Sequence, residues 1–150
     1  MVRQAIALFD GLGVETIIHC GDVGGMSVFD ELVGRDCTFV WGNTDDPDPG
    51  LEAYVRSVGL TLPSAAPVIR TLGGKRAAIF HGHERAFEAT WAGLKVDYVF
   101  HGHTHMPSDD RIDGVRVINP GALHRARRKS VATLDPEGGT LTYYEIPEQA

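Results

Sequence analysis

The sequence contains no apolar run of the length that a bilayer requires and no excess of positive charge. A transmembrane helix needs about 20 consecutive apolar residues, and no stretch of this chain approaches that composition. The formal net charge is −6 at pH 7, so the chain as a whole has no electrostatic attraction for nucleic acid. These absences exclude membrane insertion and nonspecific nucleic-acid binding as leading hypotheses.

Cysteine is also scarce, with 2 residues in a chain of 150. Cys20 and Cys37 both lie inside strand-like apolar runs, where a free thiol usually packs as a small hydrophobic group. Two such residues do not make the framework of a disulfide-rich secreted domain. Because we also find no secretory leader at the N-terminus, we expect a reducing, cytoplasmic location.

The composition that remains, 43% hydrophobic and 23% charged, is typical of one globular domain covering residues 1–150. Hydrophobic periodicity predicts an α/β fold, with helices and strands alternating in the first half and strands alone after residue 108. The predicted helices are 2–12, 26–33, 51–58 and 84–93. The predicted strands are 15–20, 37–41, 67–72, 76–80 and 96–100, followed by a β-meander through 111–118, 130–134 and 140–146. This order favours two sheets packed face to face with helices on their outer surfaces.

Polar side chains that can bind metals follow four of the predicted strands. Asp22, Asn43 and His81 come after the first, second and fourth strands, and His103 and His105 come directly after the strand at 96–100. Ligands of open α/β sheets collect beyond the carboxyl ends of the strands. We therefore expect these side chains to converge on one site.

Single residues of this set allow other interpretations. Asp22 alone would fit a helix cap or turn, and Asn43 alone would fit a turn. The two imidazoles of His103 and His105 are harder to explain structurally, because they lie two residues apart at the end of a buried strand. Imidazole, carboxylate and amide donors without thiolate suit Mn, Fe, Zn, Ni or Co. Two such ions could clamp a phosphoryl group and generate a hydroxide nucleophile.

The ordered set of motifs resembles the calcineurin-like metallophosphoesterases, most closely their small single-domain phosphodiesterase and Vps29-like branch. The resemblance implies a four-layer α/β/β/α sandwich of two mixed sheets with a dinuclear metal site. It also implies that Asp22 bridges the two metals, that Asn43, His81 and His103 complete one of them, and that His105 belongs to the other. The motifs that carry it are Gly21-Asp22, Gly42-Asn43-Thr44-Asp45, His81-Gly82-His83, Gly102-His103-Thr104-His105 and Ile118-Asn119-Pro120-Gly121-Ala122.

Two departures from the family pattern modify these expectations. Members of the family normally open with a strand ending in Asp-x-His, and this sequence begins with the helix that should follow it. Either the start codon is placed too late, or the protein lacks this strand and half of one metal site. We therefore expect the second metal to be weak or absent and self-association through exposed sheet edges to be favoured. In addition, Thr44 stands where many larger members carry a histidine that protonates the leaving group.

The leading functional hypothesis is a metal-dependent phosphoesterase, most consistent with a phosphodiesterase, in which a metal-bound hydroxide attacks a small phosphate-ester substrate. Arg125 and Arg127 are candidates for binding a phosphate oxygen, although this cationic cluster also fits a solvated turn. Asp45 is expected to orient a ligand histidine. His83 or His124 could supply a proton, and each also fits an ordinary surface histidine. The alternative hypothesis is a catalytically weak or inactive Vps29-like binding module.

Overall fold

A computed structural model describes residues 1–85 and 87–148 of the chain. The helices are α1 (Val2–Leu12), α2 (Met26–Leu32), α3 (Pro49–Ser57) and α4 (Phe87–Thr90), and a 3₁₀ turn follows at Trp91–Gly93. The strands are β1 (Thr16–His19), β2 (Asp36–Phe39), β3 (Val68–Leu72), β4 (Lys75–Ile79), β5 (Tyr98–Phe100), β6 (Ser108–Ile112), β7 (Val115–Asn119), β8 (Ser130–Leu134) and β9 (Leu141–Glu145). Within the described residues, none of the helices has the length and hydropathy that crossing a membrane requires.

The strands form one five-stranded sheet and two pairs. The large sheet has the order β3-β4-β5-β7-β6, with β4, β5 and β7 parallel and the edge strands β3 and β6 antiparallel to their neighbours. The pair β1-β2 is parallel, and the pair β8-β9 is antiparallel. Because β4, β5 and β7 run in one direction, their carboxyl ends lie at the same edge of the large sheet.

The contacts between buried side chains show that the helices and strands are arranged in four layers. On one face of the large sheet, Ile79 and Phe100 contact a cluster that includes Ile18 of β1 and Leu134 of β8, so both strand pairs lie over that face. The helices α1, α2 and α3 pack on the outer side of β1-β2. On the opposite face of the large sheet, Trp91 packs against a cluster from β4, β5 and β7. The α/β class and the layered sandwich are therefore confirmed.

Local sequence explains where the helices begin and end. Helix α1 has the bounds expected from its periodicity, because Gly13 adopts a left-handed conformation (φ 70°) that ends it. Helix α3 begins two residues before the predicted start at Leu51. There the Asp48 carboxylate accepts a 2.8 Å hydrogen bond from the Leu51 amide, and Pro49 occupies the first turn.

Three predictions about secondary structure are corrected. The predicted strand at 111–118 is a hairpin, because Asp113 and Gly114 both have positive φ angles (50° and 83°) and Asp-Gly forms the tight turns that join antiparallel strands. The predicted β-meander is wrong, since β6-β7 belong to the large sheet and β8-β9 form a separate pair. The second sheet is divided between β1-β2 and β8-β9 rather than continuous.

The predicted helix at 84–93 is shorter than expected, because the described part comprises only α4 and the 3₁₀ turn. Ala86, within the predicted span, lies outside the described residues. Phe87 packs edge-on against Phe80 (5.1 Å between ring centroids) and against Trp91 (4.7 Å). The contact with Phe80 attaches this segment to the end of β4, and the contact with Trp91 links α4 to the 3₁₀ turn.

Candidate metal centre

Four polar side chains predicted as metal ligands lie together beyond the carboxyl ends of parallel strands. Asp22 follows β1, Asn43 follows β2, His81 follows β4 and His103 follows β5. The loops after β4 and β5 are joined directly, because the Gly102 amide donates a 2.8 Å hydrogen bond to the His81 carbonyl. The structure therefore brings these four side chains into one crevice of the kind in which α/β sheets bind ligands.

The His81 Nε2 atom is at the centre of this cluster. It lies 2.9 Å from Asn43 Oδ1 and 3.3 Å from His103 Nδ1. It also lies 3.4 Å from Asp22 Oδ2, and Asn43 Oδ1 is 3.0 Å from His103 Nδ1. Donors placed at about 2.1 Å from one cation lie roughly 3.0 Å apart at right angles and roughly 3.4 Å apart in a tetrahedron. The observed separations therefore fit donors around one divalent ion.

The orientation of His81 supports the same interpretation. Its Nδ1 atom lies 2.7 Å from the Cys20 carbonyl oxygen, which can only accept, so Nδ1 carries the proton of the neutral ring. Nε2 then presents a lone pair toward the carbonyl oxygen of the Asn43 amide. Two acceptors facing each other this closely are unfavourable unless a cation or a proton lies between them. A backbone partner that fixes the ring in this way is typical of metal-binding histidines.

Asn43 is essential to the donor set. In the described part of the chain, no three His, Cys, Asp or Glu side chains form a metal-binding group by themselves. The amide oxygen of Asn43 is within 3.0 Å of ring nitrogens of both His81 and His103. The centre is therefore built from an amide oxygen, a carboxylate and two imidazoles, which together suit the metals expected from the sequence.

The backbone at the centre is held in conformations that non-glycine residues rarely adopt. Asp22, His103 and His105 have φ angles of 53°, 64° and 58°. Each left-handed residue of this kind costs of order 1–3 kcal/mol and persists only where the surroundings impose it. The surrounding structure therefore imposes the backbone conformation at three predicted ligand residues.

Two glycines allow the loops to approach each other. A Cβ atom on Gly21 would lie 2.6 Å from His81 Nδ1 and 2.9 Å from the Gly42 amide nitrogen. A Cβ atom on Gly42 would overlap with the backbone nitrogen and carboxylate of Asp22. No side chain fits at either position while the loops keep this spacing. The glycines that precede Asp22 and Asn43 are therefore a steric requirement of the centre.

Two carboxylates hold the ligand loops in place. Asp45 accepts hydrogen bonds from the amides of Gly42 (2.7 Å) and Gly24 (3.2 Å), so it links the loops after β1 and β2. The prediction that Asp45 orients a ligand histidine is corrected, because its partners are these backbone amides. Glu84, which sequence reasoning missed, accepts from the amides of His81 (2.8 Å) and Gly82 (2.7 Å).

The electrostatics favour ionised carboxylates at both loops. Burial alone would raise the pKa of Asp22, but hydrogen bonds from the backbone and side chain of Thr44, together with the charge effect of His81, lower it below its usual value. Burial also opposes ionisation of Glu84, and hydrogen bonds from backbone amides, including those of His81 and Gly82, lower its pKa. Thr44 therefore serves to hold the Asp22 carboxylate, with its amide 3.0 Å from Asp22 Oδ1.

A buried asparagine supports the loop that carries His103 and His105. The Asn119 side-chain amide donates to the carbonyl of Gly102 (2.9 Å) and to the Thr104 hydroxyl (3.0 Å). Asn119 is fully buried. The Asn-Pro-Gly sequence was identified only as a family motif, and its function here is to attach the end of β7 to the histidine loop.

Of the remaining predicted residues, His105 and His83 lie beside the cluster. His105 Nδ1 lies 3.3 Å from the carbonyl oxygen of Arg125, and its ring contributes to lowering the pKa of Asp22. His83 is exposed, with its ring 5.1 Å from that of His81 and 6.2 Å from that of His103. The side chains of Arg125 and His124 are exposed.

His19 is an additional histidine that sequence reasoning did not select. Its Nδ1 atom is buried and has no hydrogen-bond partner within the described residues. Burial lowers the pKa of His19, and the charges of Asp45 and Asp22 oppose that effect. Its position at the end of β1 in an apolar run gave no sequence signal beyond that of a core histidine.

A sequence family described as the calcineurin-like phosphoesterase superfamily domain matches residues 1–139 of the chain. The chain belongs to this superfamily. It is also 31% identical over 124 residues to phosphodiesterase MJ0936 of Methanocaldococcus jannaschii, a match that covers 80% of this chain and 74% of that protein.

Two solved structures have the same fold as this chain. A structure described as a novel archaeal phosphodiesterase is 27% identical, with a TM-score of 0.83, and the match covers 97% of this chain and 91% of that one. Zinc-bound Vps29 from Entamoeba histolytica is 23% identical, with a TM-score of 0.66, covering 93% and 80%. The match to the family confirms, at the level of the superfamily, the resemblance found in the sequence motifs. Two of these matches are named as phosphodiesterases.

Proposed function

We propose that this protein is a metal-dependent phosphodiesterase whose main metal is held by Asp22, Asn43, His81 and His103. The observation that supports this most directly is the spacing of their donor atoms, 2.9–3.4 Å around His81 Nε2. The named relatives of the chain include a phosphodiesterase, which is consistent with the proposal. Mn is the first candidate metal, and Fe, Zn, Ni and Co suit the same donors.

A divalent cation bound there would act as a Lewis acid on the phosphate and lower the pKa of a coordinated water molecule. Side chains and backbone groups of this chain hold the proposed metal ligands in position. The Cys20 carbonyl fixes the imidazole of His81, Thr44 keeps the Asp22 carboxylate ionised, and Glu84 and Asp45 hold the loops. Hydrolysis forms one bond from a water oxygen to phosphorus and breaks one ester bond, and the departing oxygen takes up a proton.

Substrate preference follows from the lack of a strong proton donor at position 44. The Thr44 hydroxyl is no useful acid, and this residue is already engaged with Asp22. A departing alkoxide needs a proton more than a departing phenolate does. We propose that aryl esters are hydrolysed faster than alkyl esters.

The direct test is hydrolysis of bis(4-nitrophenyl) phosphate by the purified protein with Mn²⁺. We expect release of 4-nitrophenolate that stops when EDTA removes the metal and returns when Mn²⁺ is restored. Arg56→Ala, an exposed substitution on α3, is the matched control and should hydrolyse the ester at the rate of the unsubstituted protein. An inert, folded, metal-loaded protein would overturn the proposal and favour the Vps29-like binding module.

We further propose that one metal binds tightly and a second binds weakly. At the first position, donor atoms of Asn43, His103 and Asp22 lie within 3.4 Å of His81 Nε2, whereas the His105 ring is directed toward the Arg125 carbonyl. Calorimetric titration with Mn²⁺ is expected to show one tight site per chain, and His103→Ala should weaken it more than His105→Ala does. Two equally tight ions per chain would contradict this assignment.

A further inference from the structure

A cavity lies beside His105, in the loop that follows the metal-centre residue His103. Its volume is about 320 Å³, which is near the lower end of the range for small-molecule sites. The residues that line it are His105, Met106, Pro107, Arg127 and Arg128. His105, which was predicted as a metal ligand and whose charge acts on Asp22, is therefore also a lining residue of this cavity.

The loop that carries Arg125, Arg127 and Arg128, called here the cationic loop, forms one wall of the cavity. It is attached to the loop that carries His103 and His105. The Arg125 carbonyl accepts from His105 Nδ1 at 3.3 Å. Ser130, at the other end of the loop, donates a 2.9 Å hydrogen bond to the carbonyl of Pro120. Pro120 directly follows Asn119, whose side chain holds Gly102. These links keep the cationic loop at a fixed position relative to the metal ligands.

Arg127 and Arg128 are adjacent and exposed, and both line the cavity; like Arg76, Arg111 and Arg125, they have no carboxylate partner within the described residues. The arginines that do form ion pairs are Arg3, Arg35, Arg56, Arg70 and Arg116. The neighbouring Lys129 is engaged by Glu148 and by the Ala126 carbonyl. In a chain with a net charge of −6, two adjacent guanidinium groups without counter-charges indicate a site for an anionic group.

We infer that this cavity binds a second phosphate group carried by the substrate, and that Arg127 and Arg128 select phosphodiesters with such a group. The inference rests on the proposed function, because it assumes that the reacting phosphate lies at the metal centre. Guanidinium groups bind phosphate oxygens in a bidentate manner that an ammonium group does not reproduce. A volume of about 320 Å³ accommodates one substituent of nucleotide size. The corresponding substrate class is a phosphodiester of a nucleotide.

Two substrates that differ by one phosphate provide the test. They are thymidine 5′-(4-nitrophenyl phosphate) and the same ester with an added 3′-phosphate. We expect kcat/KM to be about tenfold higher for the phosphorylated ester, a preference worth about 1.4 kcal/mol. In Arg127→Ala/Arg128→Ala the ratio of the two values should fall to about one, and in the unsubstituted protein it should fall as salt rises.

A matched double substitution separates a local effect from net charge. Arg3→Ala/Arg56→Ala removes two exposed cations elsewhere on the surface, whose side chains are 84% and 62% exposed. This variant is expected to keep the tenfold ratio. Loss of the ratio in both double variants, or a ratio of one in the unsubstituted protein, would overturn the inference while leaving the proposed function intact.

Binding measured without turnover distinguishes the two proposals. Thymidine 3′,5′-bisphosphate and thymidine 5′-monophosphate are titrated into the Mn²⁺-loaded protein, and we expect about tenfold tighter binding of the bisphosphate that depends on Arg127 and Arg128. If this difference is found but no ester is hydrolysed, the cavity assignment stands and the phosphodiesterase proposal fails. If the two ligands bind equally, the cavity assignment fails whatever the turnover.

Discussion

His81→Ala is expected to reduce metal-dependent phosphodiester hydrolysis by about a thousandfold, which corresponds to about 4 kcal/mol of transition-state stabilisation. The reason is the central place of its Nε2 atom, which lies within 3.4 Å of donor atoms from Asn43, His103 and Asp22. Removing the ring also releases the Cys20 carbonyl from its hydrogen bond. Mn²⁺ affinity, measured by calorimetry, should fall together with the hydrolysis rate of bis(4-nitrophenyl) phosphate.

Because His81 is only 2% exposed, a control for lost packing is needed. Phe80→Leu removes buried volume from the adjacent residue, whose ring packs on the opposite side with Phe87. This variant should be less stable but should retain its Mn²⁺ affinity. Added imidazole should restore part of the activity of His81→Ala by filling the vacated position. A folded His81→Ala protein with unchanged metal affinity would exclude the centre described above.

Gly42→Ala is expected to lower the free energy of unfolding by about 1–3 kcal/mol, the usual cost of overpacking a tightly packed site. The added methyl group would overlap with the Asp22 backbone and carboxylate, so the loops after β1 and β2 must separate. For a domain of this size, the melting temperature should fall by roughly 2–4 °C for each kcal/mol. Mn²⁺ should stabilise the variant less than it stabilises the unsubstituted protein, because the donors no longer match one ion.

Gly11→Ala is the matched control for the added methyl group. Gly11 lies within α1, and a Cβ atom there would meet nothing within 4 Å. Replacing a helical glycine with alanine should raise the free energy of unfolding by about 0.5–1 kcal/mol. Thermal unfolding followed by circular dichroism, with and without Mn²⁺, checks both variants. Equal melting temperatures and equal stabilisation by metal in the two variants would show that the approach at Gly42 is not tight.

Sequence reasoning predicted the parts of this protein that depend on local pattern. The bounds of α1 follow from periodicity and Gly13, and the predicted strands at 67–72 and 76–80 correspond to β3 and β4. The convergence of His81 and His103 required only that their strands be parallel neighbours. In each case the determining signal lies within a few residues of the element that it controls, or follows from a general rule of α/β sheets.

The features that were not predicted depend either on residues that are distant in sequence or on two competing sequence signals of similar strength. The alternating pattern continues across Asp113-Gly114, so the turn was read as strand although the dipeptide is a strong hairpin signal. Glu84 accepts hydrogen bonds from the backbone amides of His81 and Gly82. A pattern of hydrophobic residues does not indicate such bonds. Arg128, unlike Arg127, had no reason to be preferred until the cavity beside His105 was known.

Helix α1 contacts both strand pairs of the divided layer. Ile6 packs with the cluster over β1-β2, Ala5 packs with Val131 and Ile146 beside β8-β9, and Phe9 touches both clusters. Each pair alone is too narrow to be stable in water. The helix therefore couples their unfolding, so that local opening of α1 would expose the Asp22 and Asn43 loops and the C-terminal hairpin together as one cooperative unit.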